Sequence, residues 1–187
     1  MEDAKIVQMY WDRDPDAIVQ TAEKYGVYCR TIAVNILGSP EDAEECVNDT
    51  YMSAWRAIPP HRPSVLSTFL GKLTRNLSFN RYKQLRADKR GGSQIPVVLD
   101  ELTECVPDRA SVEQAMEYRE LVQAVDTFLD GLPMEKRVMF VRRYWYNDSM
   151  AQIAVRMGKK EKTVSKTLER VRRQLRKHLE ERGYEVG

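Results

Sequence analysis

Residues 148–178 read DSMAQIAVRMGKKEKTVSKTLERVRRQLRKH, and their pattern predicts two short helices joined by a tight turn. The first helix has apolar residues on one face and can be capped at its start by Asp148 or Ser149. Gly158 ends it, because glycine enters the left-handed conformation of a turn without steric cost. A second helix begins near Glu161. Small and β-branched residues at the crossing allow a helix-turn-helix to form around a minimal core.

The second of these helices is strongly basic. Its narrow apolar stripe consists of Val164, Leu168, Val171 and Leu175. From Arg156 to Lys177 there are ten Lys or Arg residues and two acidic residues, so cations cover the faces outside the stripe. Such a helix fits the major groove of DNA, with phosphates neutralised along its flanks. In its second half we expect Arg172, Arg173 and Arg176 to meet phosphates or solvent. The alternative is a solvated helix whose charges only keep the protein soluble, although solvated helices usually mix both signs.

Composition limits the class of protein. The chain has 187 residues and a formal net charge of +2. No apolar run approaches the ~20 residues that span a bilayer, and the N-terminus lacks the basic and apolar segments of a signal peptide. Cys29, Cys46 and Cys105 are widely spaced and form no CxxC motif, which favours reduced thiols in a cytoplasmic protein. Because only two His residues accompany them, we expect no metal site and no other cofactor.

The first 90 residues predict a bundle of helices. Pro15 and Pro40 each mark the first position of a helix, where a missing N–H group has no helical partner to lose. Residues 59–63 contain three prolines and cannot be helical. Ser67 is expected to cap the next helix, which extends to about Lys89. The predicted helices span residues 3–12, 15–37, 40–57 and 67–89.

Two of these helices carry charged faces. The side of the 40–57 helix opposite its apolar residues holds Glu44, Glu45, Asn48, Asp49 and Met52. This side is either solvent-exposed surface, which spacing alone favours, or a docking surface for a basic partner helix. The 67–89 helix has a basic flank beside Phe79 and Tyr82, which suits phosphate contacts and base stacking unless it is merely solvated. The flank consists of Lys72, Arg75, Arg81, Lys83, Arg86, Lys89 and Arg90.

The remainder of the chain predicts a boundary and a second helical domain. Residues 91–110 contain two prolines and four acidic residues without a helical period, which predicts an extended acidic linker. Helical order returns at Ser111 and is broken at Gly131–Pro133. No strand pattern occurs in the sequence, so we predict an all-α fold of two small helical bundles joined by the linker. The predicted domains are residues 1–90 and 111–187, with the linker over 91–110.

Segments of both halves resemble one family. The segments are AEECVNDTYMSAW at 43–55, FLGKLTRN at 69–76, LPMEKR at 132–137, and Ile153-Ala154 together with Thr163-Val164. They are similar to signatures of the sigma-70 initiation factors of bacterial RNA polymerase, in the short, two-domain extracytoplasmic-function group. The resemblance covers roughly residues 15–90 and 111–180. Lys160 departs from the family pattern, in which a capping residue such as Ser is usual at this position.

The resemblance implies three interaction sites. One helix face would dock on the clamp helices of core polymerase through Glu45, Asn48, Asp49, Met52 and Trp55, which reverses the preference for plain solvent. Recognition and opening of the −10 promoter element, with one base extruded into a loop pocket, would use His61, Arg62, Ser64, Lys72, Arg75, Asn76 and Lys83. Reading of the −35 element in the major groove would use Lys160, Lys162, Thr163, Ser165, Lys166 and Arg170.

The partners implied by the resemblance are core RNA polymerase, through its clamp helices and flap, promoter DNA and an anti-sigma factor. The acidic linker would pass through the polymerase channel near the active centre, and no membrane insertion is expected. A rival interpretation is a free-standing helix-turn-helix regulator, which would bind a palindromic site as a dimer. An enzyme acting on nucleic acid would need a carboxylate or His cluster. The nearest candidates are Glu44, Glu45 and Asp49, and we expect the protein not to be an enzyme.

Overall fold

The structure is a computed structural model that describes residues 1–88, 101–102, 115–184 and 186. For residues 86–88 and 115–118 the description extends to the backbone only. Every regular element in these ranges is a helix, which confirms the predicted all-α fold. The chain divides into two compact units, Met1–Gly92 and Ser93–Gly187, and each has its own apolar core.

The first unit contains helices α1 to α4, whose ends follow local rules. They span Asp3–Trp11 (α1), Asp16–Leu37 (α2), Pro40–Ala57 (α3) and Leu66–Asp88 (α4). Gly38, at φ 71°, ends α2, and the Ser39 hydroxyl accepts a hydrogen bond from the Asp42 N–H at 3.2 Å to cap α3. The predicted cap at Ser67 is wrong. Helix α4 begins one residue earlier, at Leu66, so Ser67 lies within its first turn.

The core of the first unit lies between α2, α3 and α4, with one side of α1 packed against it. The inward side of α3 is buried as predicted, and consists of Ala43, Cys46, Val47, Thr50 and Ala54. At the start of α2 the helical period of the sequence predicts that Ile18 and Ala22 are buried, whereas the structure buries Ala17 and Thr21, one residue earlier in each case. Thr21 tolerates burial because its hydroxyl donates to the Ala17 carbonyl at 2.7 Å and lies 2.9 Å from the Tyr10 hydroxyl.

The second unit contains helices α5 to α8. They span Ala115–Asp130 (α5), Met134–Tyr144 (α6), Met150–Met157 (α7) and Glu161–Glu180 (α8). The predicted apolar stripe of α8 is completely buried, and Leu179 extends it by one turn. Side chains from the other three helices close this core around the stripe, including Leu121, Met139 and Ile153. Burying the stripe leaves the remaining faces of α8 to its polar residues.

The helix-turn-helix forms where the sequence predicts it. Ser149 caps α7 in a capping box, accepting from the Gln152 N–H at 3.1 Å while the Gln152 side chain accepts from the Ser149 N–H at 2.7 Å. Gly158, at φ 61°, makes the turn. Lys159 then forms an ion pair of 2.6 Å with Glu135, which joins the turn to α6. The arrangement fixes the start of α8 relative to both preceding helices.

The predicted extended linker is wrong at the two of its residues that the structure describes. Glu101 and Leu102 are helical, and Leu102 packs against the core of the second unit. The other linker residues, Cys105 and the predicted cap Ser111 lie outside the described ranges.

Candidate nucleic-acid interface

The side chains predicted to read DNA are all exposed and lie around the side of α8 that faces away from its buried stripe. This α8 cationic face consists of Lys160, Lys162, Thr163, Ser165, Lys166 and Arg170, all of them exposed. Lys160 occupies the N-cap position, and its side chain makes no capping hydrogen bond. The first-turn N–H groups of α8 therefore have no side-chain acceptor from the cap, at the end of the helix where the dipole favours an anion. The geometry can bind a phosphate and present further donors beyond it.

Three arginines in the second half of α8 were expected to meet phosphates or solvent. Arg173 is exposed and pairs with a glutamate one turn away, and Arg176 does the same. Arg172 is different, because its side chain is only 15% exposed and donates to the Tyr144 hydroxyl at 2.9 Å. The expectation is wrong for Arg172, which connects α8 to α6 inside the second unit.

A buried polar cluster surrounds this contact, and the sequence did not predict it. The Glu101 carboxylate accepts from Arg143 at 2.9 and 3.2 Å and from the Tyr144 hydroxyl at 2.9 Å, with Arg172 3.5 Å away. Burial, reinforced by the charge of Glu101, raises the pKa of the Tyr144 hydroxyl above its ordinary value. The available signal was the position of Arg143, four residues after the buried Met139 on the same face of α6.

Helix α3 presents the predicted acidic surface in the first unit. This α3 outer face consists of Glu45, Asn48, Asp49 and Met52, all exposed, with Met52 47% accessible. Trp55, the fifth residue predicted for this surface, is less exposed than the other four. Its ring is half-buried, 6.1 Å from that of Tyr10, and the Arg13 guanidinium lies 5.3 Å from it. Trp55 therefore packs α3 against α1 and the turn that follows it.

Arg81 was predicted to belong to the basic flank of α4, and the structure gives it an acidic environment. It lies 3.1 Å from Asp42 and 3.1 Å from Glu45, so it joins α4 to α3. These contacts occupy one oxygen of Glu45 at the edge of the α3 outer face. No ion pair of Asp49 is recorded among the described residues, and Asp49 is the carboxylate on that face more open to a partner.

The proline loop, residues 58–65, and α4 carry the side chains predicted for the −10 element. The exposed members of the set are His61, Arg62, Ser64, Lys72, Asn76 and Lys83. Arg75 is half-buried, with its guanidinium 5.3 Å from the Phe79 ring. Burial lowers the pKa of Arg75 to about 10, with Tyr28 opposing the shift. The exposed cations follow one side of α4, while Arg75 packs partly into the unit.

In the described part of the chain no group of three or more His, Cys, Asp or Glu side chains could hold a metal ion. Cys29 and Cys46 are buried free thiols, and burial raises the pKa of both. Among the described helices, none has the length and apolar character needed to cross a membrane.

Comparison with known proteins identifies the family. The sigma-70 region 2 model matches residues 22–87, and the sigma-70 region 4 model matches residues 122–175. Together they cover more than half of the 187 residues. The chain belongs to the sigma-70 family of RNA polymerase sigma factors, in its extracytoplasmic-function group.

Two relatives and one solved structure illustrate the likeness. The ECF RNA polymerase sigma factor SigE of Mycolicibacterium smegmatis is 24% identical over 156 residues, which are 83% of this chain and 59% of that protein. The probable RNA polymerase sigma factor RfaY of Xanthomonas campestris is 24% identical over 81% of this chain and 37% of its own length. The chain thus spans less than two thirds of these relatives. The structure of CnrH in complex with the cytosolic domain of CnrY has a TM-score of 0.43 and 20% identity, covering 95% of this chain and 97% of that one.

Proposed function

We propose that the protein is a transcription initiation factor that binds core RNA polymerase and directs it to specific promoters. It would read −10 and −35 elements and promote strand opening at the −10 element. The observation that carries this proposal is the presence of two exposed faces of opposite character in one chain. The α3 outer face is acidic, and the α8 cationic face belongs to a helix-turn-helix in the other unit. The two match the needs of a protein partner and of DNA.

The α8 cationic face would enter the major groove at the −35 element. Thr163 and Lys166 lie in the N-terminal half of α8, where a recognition helix contacts base edges. Lys160 and the uncapped amides would bind a phosphate and so set the register of the helix. Arg170 extends the same exposed surface by one turn.

The proline loop and α4 would act at the −10 element. Lys72 and Lys83 are exposed cations on α4, suited to the backbone of a separated strand. His61 and Ser64 flank Arg62 in the loop and could contact an extruded base. Arg75 is partly buried beside Phe79, so it would pack beneath the exposed side chains of α4 and add its positive charge to theirs.

The α3 outer face would dock on a basic helical surface of core polymerase, for which the clamp helices are the candidate. Met52 supplies an exposed apolar side chain at the centre of this face. Asp49 supplies a carboxylate that forms no ion pair with the other described residues. An apolar centre with polar groups around it is typical of specific interfaces. The second unit would contact the polymerase flap. Regulation by an anti-sigma factor, and action in the cytoplasm where polymerase and promoter DNA occur, complete the proposal.

Replacing Asp49 with Arg tests the docking face. Reversing this charge should weaken binding to core polymerase by about tenfold or more, because like charges would meet at the interface. Asp49 is exposed, so the melting temperature should change little. Asp49 is a sharper choice than Glu45, whose reversal would also break the contact with Arg81. The measurement is equilibrium binding of fluorescent protein to the core polymerase of its source bacterium.

Glu23→Arg is the matched control, since it makes the same charge change at an exposed residue of α2. It should bind polymerase like the wild type. Equal affinities of the Asp49→Arg and Glu23→Arg variants would remove the α3 outer face as the docking site. A wild-type protein that fails to bind polymerase but binds palindromic DNA as a dimer would instead favour the free-standing regulator.

A further inference from the structure

Helix α1 precedes residues 22–87, the part of the first unit that the family model matches. We propose that α1 is a brace for the proline loop, and that Gln8 and Trp11 hold Arg62 in the conformation in which the loop reads the −10 strand. Gln8 and Trp11 are thus positioning residues that act through Arg62. The inference rests on the proposed function, because it assigns a means of specificity to the same DNA site.

Arg62 is the residue of the proline loop that α1 holds directly. Its Nη2 donates to Gln8 Oε1 at 2.6 Å, and its guanidinium carbon lies 5.4 Å from the centre of the Trp11 ring. A hydrogen bond and an aromatic face together restrict both the reach and the plane of the guanidinium. The two contacts join residues 51 and 54 positions apart in the chain, so they cannot arise from local loop structure.

Helix α1 and the turn after it also contact the chain on both sides of the loop. Before the loop, Arg13 Nη1 donates to the Trp55 carbonyl at 2.7 Å. After the loop, the backbone of Leu66, the first residue of α4, lies close enough to the Asp3 carboxylate to contribute to lowering its pKa. The loop is therefore bounded by two contacts to the N-terminal segment and held in between by a third, at Arg62.

Helix α1 is itself fixed to the rest of the first unit. Ile6, Val7 and Tyr10 are buried, so α1 is fixed to the core by one face. Asp3 also accepts from Lys24 at 2.6 Å and from Tyr25 at 2.5 Å. Burial alone would raise the pKa of Asp3, but these hydrogen bonds and the charge of Lys24 outweigh it and hold the pKa below its ordinary value. A seated helix can transmit its position to the loop, whereas a frayed terminus could not.

Preorganisation is what such a brace would contribute to DNA binding. A free loop must lose conformational entropy when it grips an extruded base, and that cost reduces affinity for every base alike. If Arg62 is held in place before DNA binds, the positions of its neighbours His61 and Ser64 are restricted as well. In the proposal, His61 and Ser64 are the side chains that distinguish bases. An exposed contact without this function would have little effect on any measurement, as is usual for isolated surface pairs.

The test compares Gln8→Ala with Asp12→Ala in the full-length protein bound to core polymerase. Gln8 has two side-chain contacts, to Arg62 at 2.6 Å and to Asp12 at 2.9 Å, and the control removes only the second. The probe is a single-stranded non-template oligonucleotide from a promoter that the wild-type holoenzyme transcribes. Gln8→Ala should weaken its binding about fivefold, which corresponds to about 1 kcal/mol for one hydrogen bond.

Measurements on three variants distinguish an effect on the position of Arg62 from an effect on the stability of the protein. Gln8→Ala should reduce the discrimination against oligonucleotides with a replaced −10 base, while leaving −35 duplex binding and the melting temperature unchanged. Gln8→Glu, whose carboxylate can still accept from Arg62, should restore discrimination. Trp11→Leu, which keeps apolar bulk but removes the aromatic face, should reduce it like Gln8→Ala.

Each contrary outcome is decisive. Gln8→Ala that behaves like Asp12→Ala would remove the brace and leave the proposed function intact. Tighter strand binding by Gln8→Ala would mean that Gln8 withholds Arg62 from DNA, which also overturns the proposal. If the wild-type protein with core polymerase transcribes no promoter, the proposed function fails and the brace fails with it.

Discussion

Arg143 and Asp148 are buried charges in the second unit, and each is compensated by specific partners. The Asp148 side chain is 3% exposed and accepts from Arg142 at 2.6 Å. Arg143 donates both to the Asp148 carbonyl, at 3.0 Å, and to Glu101. Buried charges are tolerated only when such partners replace water, so removing one partner should leave an uncompensated charge in the core.

Replacing Glu101 with Gln should destabilise the second unit although the side chains have nearly the same shape. Arg143 and Arg172 would lose their shared negative charge while remaining buried. We expect a loss at the lower end of the about 3–5 kcal/mol typical of a broken buried ion pair. Urea denaturation would measure it, and faster hydrogen exchange in α6 and α8 would locate it. The exposed Glu120→Gln on α5 is the control, and an equal effect of both would contradict the role of Glu101.

At the scale of single elements, α8 differs from α3 and α7 in how it begins. The latter two have serine caps with side-chain hydrogen bonds, at Ser39 and Ser149. Helix α8 has Lys160, which makes no such bond and places a positive charge at the positive end of the helix dipole. The local cost to stability is consistent with a site that gains its partner on binding an anion.

Lys160→Ser should therefore stabilise the free protein and weaken its binding to DNA. A serine cap is worth about 1 kcal/mol of stability, which thermal denaturation would show as a higher melting temperature. Loss of one phosphate contact should reduce the slope of log affinity against log salt by about 1 on a −35 duplex. Lys177→Ser, at the other end of α8, is the control. An unchanged salt slope for Lys160→Ser would exclude the phosphate contact.

At the scale of the whole molecule, the chain carries two units with separate cores and separate candidate DNA surfaces. The first unit has its exposed cations beside the proline loop and the second has them on α8. Exposed acidic side chains occupy other surfaces, among them the α3 outer face. This distribution explains how a net charge of +2 is compatible with two DNA contacts.

The proposed division of labour can be tested with one variant in each unit. Lys166→Ala should weaken binding to an isolated −35 duplex and relax preference at one position, by about 1–3 kcal/mol for a good base contact. Arg75→Met keeps apolar packing beside Phe79 and should spare that duplex while slowing strand opening. A gel-shift assay and permanganate footprinting measure the two effects. Equal impairment of both assays by both variants would show that the division is wrong.

Local sequence rules determined the helices and the surfaces they expose. The α8 stripe, the Ser39 and Ser149 caps and the Gly158 turn follow from interactions within about four residues, and all were predictable. The α8 cationic face follows from the same reasoning, because a helix that buries one narrow stripe leaves most of its other residues exposed. The predicted cap at Ser67 was wrong, because α4 already begins at Leu66. An error of this size is typical of predicted helix boundaries.

Only the tertiary structure decided which charged side chains are held within the protein. Arg143 pairs with Glu101 across 42 residues, Arg81 with Glu45 across 36, and Arg62 with Gln8 across 54. Pairs at such separations have no periodic signature, so Arg81 was assigned to the basic flank and Arg172 to phosphates or solvent. A helix period describes which residues share a face, whereas the environment of that face depends on which distant segment packs against it.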